Sequence, residues 1–336
     1  MKKNYLFMVL VLLASGFVGC SDDDDSYDWY AAYMEEQARL ADFVKDKTPL
    51  KTFTYTNITF DKKNLTDYAY LFGYDENGVK PKPGQFVLVN YVRKSLNEQI
   101  LDATYLDKAV GAQVTPYYKH GGPVYLRLND TEIPDATSDA LECMGEGTTG
   151  NVLLSRVWTN MSTFLYIEYT IEKIIQESSL LVYENKMIEN SLEKLQDKKQ
   201  VIPIPANETN AGDTIAKLAI LKQGMGEPAV ATDSVTIWLE GEILDEVNTS
   251  LRKFLKMEDE DSSEKVKVSD LPTKGLRMAL LKLREGDEAK LFLPSGMAYG
   301  YEGWNNDYTG QIIIPSYSTL VFTIKVKKVE KNPAKN

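Results

Sequence analysis

Two segments near the C-terminus concentrate residues suited to shaping a site: Leu293-Pro-Ser-Gly-Met-Ala-Tyr-Gly300 and Ile312-Ile-Ile-Pro-Ser-Tyr-Ser-Thr-Leu-Val-Phe322. They supply a loop tyrosine, an Ile-Pro turn and an apolar strand ending in phenylalanine. Between them, Tyr301-Glu-Gly-Trp-Asn-Asn-Asp-Tyr-Thr-Gly310 carries Trp304 and Tyr308, rigid apolar side chains in a polar loop. Loop aromatics of this kind are common contact residues, and packing over a sheet edge accounts for them equally well. Other chemistries are poorly supplied. His120 is the one histidine, in a Lys-His-Gly-Gly-Pro turn, so a Ser-His-Asp triad or a multi-histidine metal site must use it or be absent. The acidic run Met257-Glu-Asp-Glu-Asp-Ser-Ser-Glu264 lacks the calcium-loop pattern and reads as a solvated loop. Cys143 reads as a small core residue. No metal and no cofactor is expected.

The N-terminus sets the compartment. Lys2 and Lys3 precede an apolar run, Tyr5 to Leu13, too short to span a bilayer, which reads as a secretory signal. Ala14-Ser-Gly-Phe-Val-Gly-Cys20 resembles the lipobox of bacterial lipoproteins. That resemblance implies a signal peptide over residues 1–19, lipidation of Cys20 and attachment to a lipid bilayer. Ser21-Asp-Asp-Asp-Asp25 resembles the acidic signal that directs some lipoproteins to the outer face of the outer membrane; as a plain spacer its carboxylates repel and stay extended. Losing Lys2 and Lys3 takes the basic side chains from 38 to 36 against 49 acidic ones, and the net charge from −11 to −13. That charge disfavours nucleic acid as a partner. Cys143 is the only other cysteine, so the mature chain relies on packed cores rather than an internal disulfide.

The elements that must position these residues repeat. Ser26 to Lys47 predicts a helix, with Trp29, Tyr33, Leu40 and Val44 near helical spacing and an apolar stripe that docks on a domain. Strands are predicted at Phe86–Tyr91 and Ser234–Leu239, short helices at Ile133–Leu141 and Lys274–Leu280, and closing strands at Phe164–Ile171 and Leu320–Val326. Glu177 to Gln196 predicts a helix that either joins a domain core or acts as a spacer, and Ile202-Pro-Ile-Pro205 reads as an extended linker.

The motifs resemble the C-terminal half of FKBP-type peptidyl-prolyl cis-trans isomerases: a strand ending in Pro, an Ala-Tyr-Gly loop, an Ile-Pro turn and a Thr-Leu-Val-Phe strand. The resemblance is clear over Gly275 to Val329 and weaker in an earlier copy. It implies an α+β fold of two FKBP-like domains, each a curved antiparallel sheet around a short helix, with an N-terminal helix and an inter-domain helix. The expected bounds are a lipidated tether and helix over 20–48, a degenerate domain over 49–176, a linker helix over 177–200 and a second domain over 201–330.

By that resemblance Tyr299, Ile314 and Phe322 match the family's late pocket residues, with Leu276 in place of a floor tryptophan. Leu239, Val247 and Asn248 stand where the family has tyrosine, phenylalanine and aspartate. The first copy reverses this: Tyr91 matches the strand tyrosine and Leu101-Asp102 the Phe-Asp pair. Its helix offers Thr137, however, and only Arg156 to Ser162 joins its late strands, so the loop lid is missing. Tyr91 reads equally well as a buried strand tyrosine. The implied reaction twists an amide whose barrier is roughly 18–20 kcal/mol, and an apolar, water-excluding pocket favours the twisted form. Its implied partners are proline-containing protein segments and outer-membrane or surface proteins. A non-catalytic binding subunit of an outer-membrane complex is the alternative.

Overall fold

The computed structural model describes residues 29–60, 63–75, 77–131, 133–155, 164–206, 215–246, 252–258 and 262–332. The expected signal, Cys20, the acidic run Ser21 to Asp25, the connection Arg156 to Ser162, Val247 and Asn248 lie outside these residues. No helix among them is long and apolar enough to cross a membrane.

The described strands form two seven-stranded antiparallel sheets and a small two-stranded one. The first sheet contains β1 (Lys51–Phe60), β2 (Lys63–Phe72), β3 (Phe86–Lys94), β4 (Ile100–Ala103), β5 (Val124–Arg127), β6 (Thr149–Leu154) and β7 (Leu165–Ile175). Its order is β1-β2-β6-β7-β3-β4, with β5 also on β3. The hairpin of β1 and β2 is absent from the expectations above, although Phe53 and Tyr55 alternate with Thr52, Thr54 and Thr56 as a strand should. α2 (Leu106–Gly111) and α3 (Asp135–Leu141) complete the domain, and α3 buries Ala136, Ala140 and Leu141 against the sheet's inner face.

β3 is apolar on successive residues because both its faces are covered. Val87, Val89 and Tyr91 point into the domain's own core. Phe86 instead meets Tyr317 of the second domain edge-on, ring centroids 4.7 Å apart.

α1 (Trp29–Lys47) docks on the outer face of the first sheet, as its stripe implied. Leu40 packs with Phe72, Leu153, Phe164 and Tyr166, and the Tyr33 hydroxyl donates to the Thr66 carbonyl at 3.1 Å.

The second sheet contains β8 (Gln200–Pro205), β9 (Ile215–Lys222), β10 (Ser234–Ile243), β11 (Arg252–Lys256), β12 (Glu264–Lys267), β13 (Glu288–Leu293) and β16 (Leu320–Glu330), ordered β11-β10-β16-β13-β9-β8 with β12 also on β10. α5 (Lys274–Leu280) lies on its inner face, and the Thr273 hydroxyl caps it by accepting from the Leu276 N–H at 3.2 Å. The Ile-Pro repeat is a strand rather than a linker: Ile202 pairs with Leu218 and Ile204 with Ala216. An edge strand tolerates proline because its outward N–H has no ladder partner to lose.

α4 (Leu180–Lys194) lies between the two domains and packs on the outer face of the second sheet. Ile188 and Leu192 meet Ala219, Phe292 and Val321. The buried Glu184 carboxylate accepts from the Ser295 N–H at 2.7 Å and the Thr319 hydroxyl at 3.1 Å.

Candidate functional site

The second domain gathers most of its expected site residues into one apolar cluster. Leu239 on β10, Leu276 on α5, Ile314 on β15 (Ile312–Ile314) and Phe322 on β16 are all buried in it. Tyr299 packs on its edge, half-buried, and burial holds its hydroxyl above the usual pKa. It is therefore a neutral donor at physiological pH. Its ring stacks on Trp304, centroids 6.1 Å apart and planes 13° apart. Trp304 belongs to β14 (Trp304–Asn305), which pairs with β15. Trp304 is 43% exposed and Tyr308 fully exposed, so both open choices are answered in part: Trp304 packs on Tyr299, and Tyr308 faces solvent.

Phe254 on β11 was missed. Its ring meets Phe322 at 5.6 Å and 90°, a favourable edge-to-face contact. Gly241 makes this possible, because a Cβ there would lie 2.4 Å from Phe254 Cζ. Linear matching placed the aromatic of this wall at Val247, outside the described residues. Phe254, in Arg252-Lys-Phe-Leu-Lys256, is the residue that reaches Phe322. The signal available was its place in a short strand with lysines on either side of an apolar pair.

The first domain holds the polar part. The Tyr91 hydroxyl donates to Asp102 Oδ2 at 2.5 Å, and the Tyr117 N–H donates to Asp102 Oδ1 at 2.8 Å. Burial, then the Asp102 charge, pushes the Tyr91 hydroxyl well above its ordinary pKa. Tyr118 and Tyr169 flank Tyr91 at 6.2 and 6.3 Å, and burial pushes Tyr169 up to about 12. Thr137 is buried on α3. Leu101, paired with Asp102 in the sequence match, points outward at 39% exposure and lines nothing. Asp102 is itself 2% exposed with both oxygens engaged by its own chain, so this pair serves the fold first.

Among the described residues no group of three or more His, Cys, Asp or Glu side chains is arranged to hold a metal.

Residues 226–327 match the family described as FKBP-type peptidyl-prolyl cis-trans isomerase. That match lies within the second domain, which is FKBP-like. Similar solved structures include a peptidyl-prolyl cis-trans isomerase from Pseudomonas syringae, at 18% identity over 46% of this chain and 96% of that one, TM-score 0.34. The three FKBP domains of a wheat protein align at 14% identity over 79% of this chain and 95% of that one, TM-score 0.31. FkpA from Escherichia coli aligns at 20% identity over 46% and 62%, TM-score 0.33. No curated protein sequence matches the chain.

Proposed function

We propose that the second domain binds proline-containing protein segments and isomerises them. The molecule would be tethered by a lipid on Cys20 and act as a folding factor on exported proteins at the outer membrane, facing the exterior. The observation that carries the site is the convergence of Leu239, Leu276, Ile314, Phe322 and Phe254 beneath the Tyr299–Trp304 stack, within the matched residues. Apolar walls suit a planar amide that loses polarity as it twists, and Tyr299 supplies a hydroxyl donor.

Three features favour a second reading, a non-catalytic binding subunit of an outer-membrane complex. Leu239 brings no hydroxyl, and Leu276, Ile314 and Phe322 are at most 2% exposed. The polar Tyr–Asp pair sits in the other domain.

A protease-coupled assay on a proline tetrapeptide, run on the whole mature chain, separates the two. Isomerisation lost in Tyr299→Phe and gained in Leu239→Tyr supports the enzyme. Peptide binding without turnover in either protein supports the binding subunit.

A further inference from the structure

Between β4 and β5 the first domain carries an insert, residues 104–123, where α2 leads into a loop. It is closed at its neck: the Gly122 N–H donates to the Thr104 carbonyl at 2.7 Å, and the Thr104 N–H to the Tyr91 carbonyl at 3.0 Å. The Tyr117 N–H is anchored on Asp102, as described.

Its outer arm crosses to the second domain. The Ile312 N–H donates to the Tyr117 carbonyl and the Lys119 N–H to the Ile312 carbonyl, both at 2.9 Å, forming a parallel bridge. Gln311 Nε2 donates to the Pro116 carbonyl at 2.9 Å. From the other flank Arg252 Nη1 donates to the Gly121 carbonyl at 2.6 Å. Gly122 leaves room for this, since a Cβ there would lie 2.7 Å from Arg252 Nη1.

Ile312 is the first residue of β15, whose partner β14 carries Trp304. These two strands are two and three residues long. A two-stranded pair is marginal in water, and a third strand is what gives such a unit standing. Tyr117 to Lys119 adds a one-residue parallel bridge with two backbone hydrogen bonds to that pair from the other domain.

We propose that the insert of the first domain is a positioning element for the second domain's site. By extending the β14–β15 pair it holds the Tyr299–Trp304 stack over the apolar cluster. Asp102 acts through the Tyr117 N–H, as a positioning residue and not as a substrate ligand. The inference rests on reading the second domain as a proline-peptide site for its kinetic consequence, and on geometry alone for its structural one.

The test uses the full mature chain with Lys119→Pro, which deletes the donor to Ile312, and Lys119→Ala, which keeps it. Lys119 is exposed, so neither change disturbs a core. Gln311→Ala is the second probe should Lys119→Pro perturb the turn. Amide hydrogen exchange at Trp304 to Ile314 is expected to speed up roughly three- to tenfold in Lys119→Pro and Gln311→Ala, the scale of one lost hydrogen bond. Exchange in β16 should stay unchanged. Lys119→Ala should match the parent. With a proline tetrapeptide, KM should rise by a similar factor while kcat holds. Equal exchange at Trp304 to Ile314 in Lys119→Pro, Gln311→Ala and the parent overturns the proposal, as does Lys119→Ala behaving like Lys119→Pro. A parent that neither binds nor turns over the peptide defeats the proposed function instead, and the exchange result still decides this one.

Discussion

Arg252 and Asp245 form a buried ion pair, Nη2 to carboxylate oxygen 3.1 Å, each side chain 6% exposed, at the junction of the two domains. Burial lowers the guanidinium's pKa and the Asp245 charge opposes that fall. The same guanidinium reaches the Gly121 and Pro123 carbonyls. Removing one partner leaves the other charge buried without compensation, which costs about 3–5 kcal/mol. Arg252→Ala should therefore destabilise the protein by that order in urea melts. Arg252→Met combined with Asp245→Leu should recover most of the loss. A double variant as unstable as Arg252→Ala would mean that the carbonyl contacts, rather than the pair, hold the junction.

Phe322 and Phe254 should differ in their effects. Phe322 is the larger loss, being 2% exposed, and Phe322→Ala should cost about 3–5 kcal/mol and abolish peptide binding. Phe254 is only half-buried, so Phe254→Ala should leave the fold intact yet weaken binding several-fold, measured by titration with a proline peptide. Unchanged affinity in Phe254→Ala would remove this residue from the site.

Glu184 gives a pH signature. Burial holds its carboxyl above the ordinary glutamate value of 4.5, and the Ser295 and Thr319 donors pull the other way. The folded state thus keeps a proton that the unfolded state releases. The group's favourable contribution is full below about pH 4.5 and is lost as pH rises through the higher folded value. Glu184→Gln keeps an acceptor for the Ser295 N–H and removes the titration. Its melting temperature should gain on the parent as pH rises from 4.5 to 7. Parallel pH profiles for the two proteins would contradict the shift.

Topology is tested on cells. Cys20→Ala should release the mature protein from the membrane fraction. Protease added to intact cells should digest the unmodified protein, and replacing Asp22 to Asp25 with alanine should protect it while leaving it membrane-bound. Protection of the unmodified protein would place it on the periplasmic side.

The two-sheet plan was legible where local pattern and long-range role agree. α5 follows from a run of apolar residues after Pro272 and its Thr273 cap, and β16 from alternation. Phe254 was not legible because the segment before it, between β10 and β11, has a length that linear matching cannot place. The β8 edge was misread because Ile202-Pro-Ile-Pro205 shows proline chemistry, whereas its partner, β9, is identifiable only in three dimensions. The insert's role depends on Ile312 meeting Tyr118 from a distant part of the chain, and neither residue's neighbourhood records the other.

Pro203 and Pro205 on β8 have a bearing on self-association, above all on the lipid tether proposed for this chain. Their spacing of two puts both missing donors on the same rim, the one facing away from β9. An open rim of a seven-stranded sheet would otherwise template a strand from the next molecule, the first step toward fibres. Molecules tethered side by side on a surface meet far more often than free ones. The same residue type that the proposed site would bind thus removes donors through which neighbouring copies would pair.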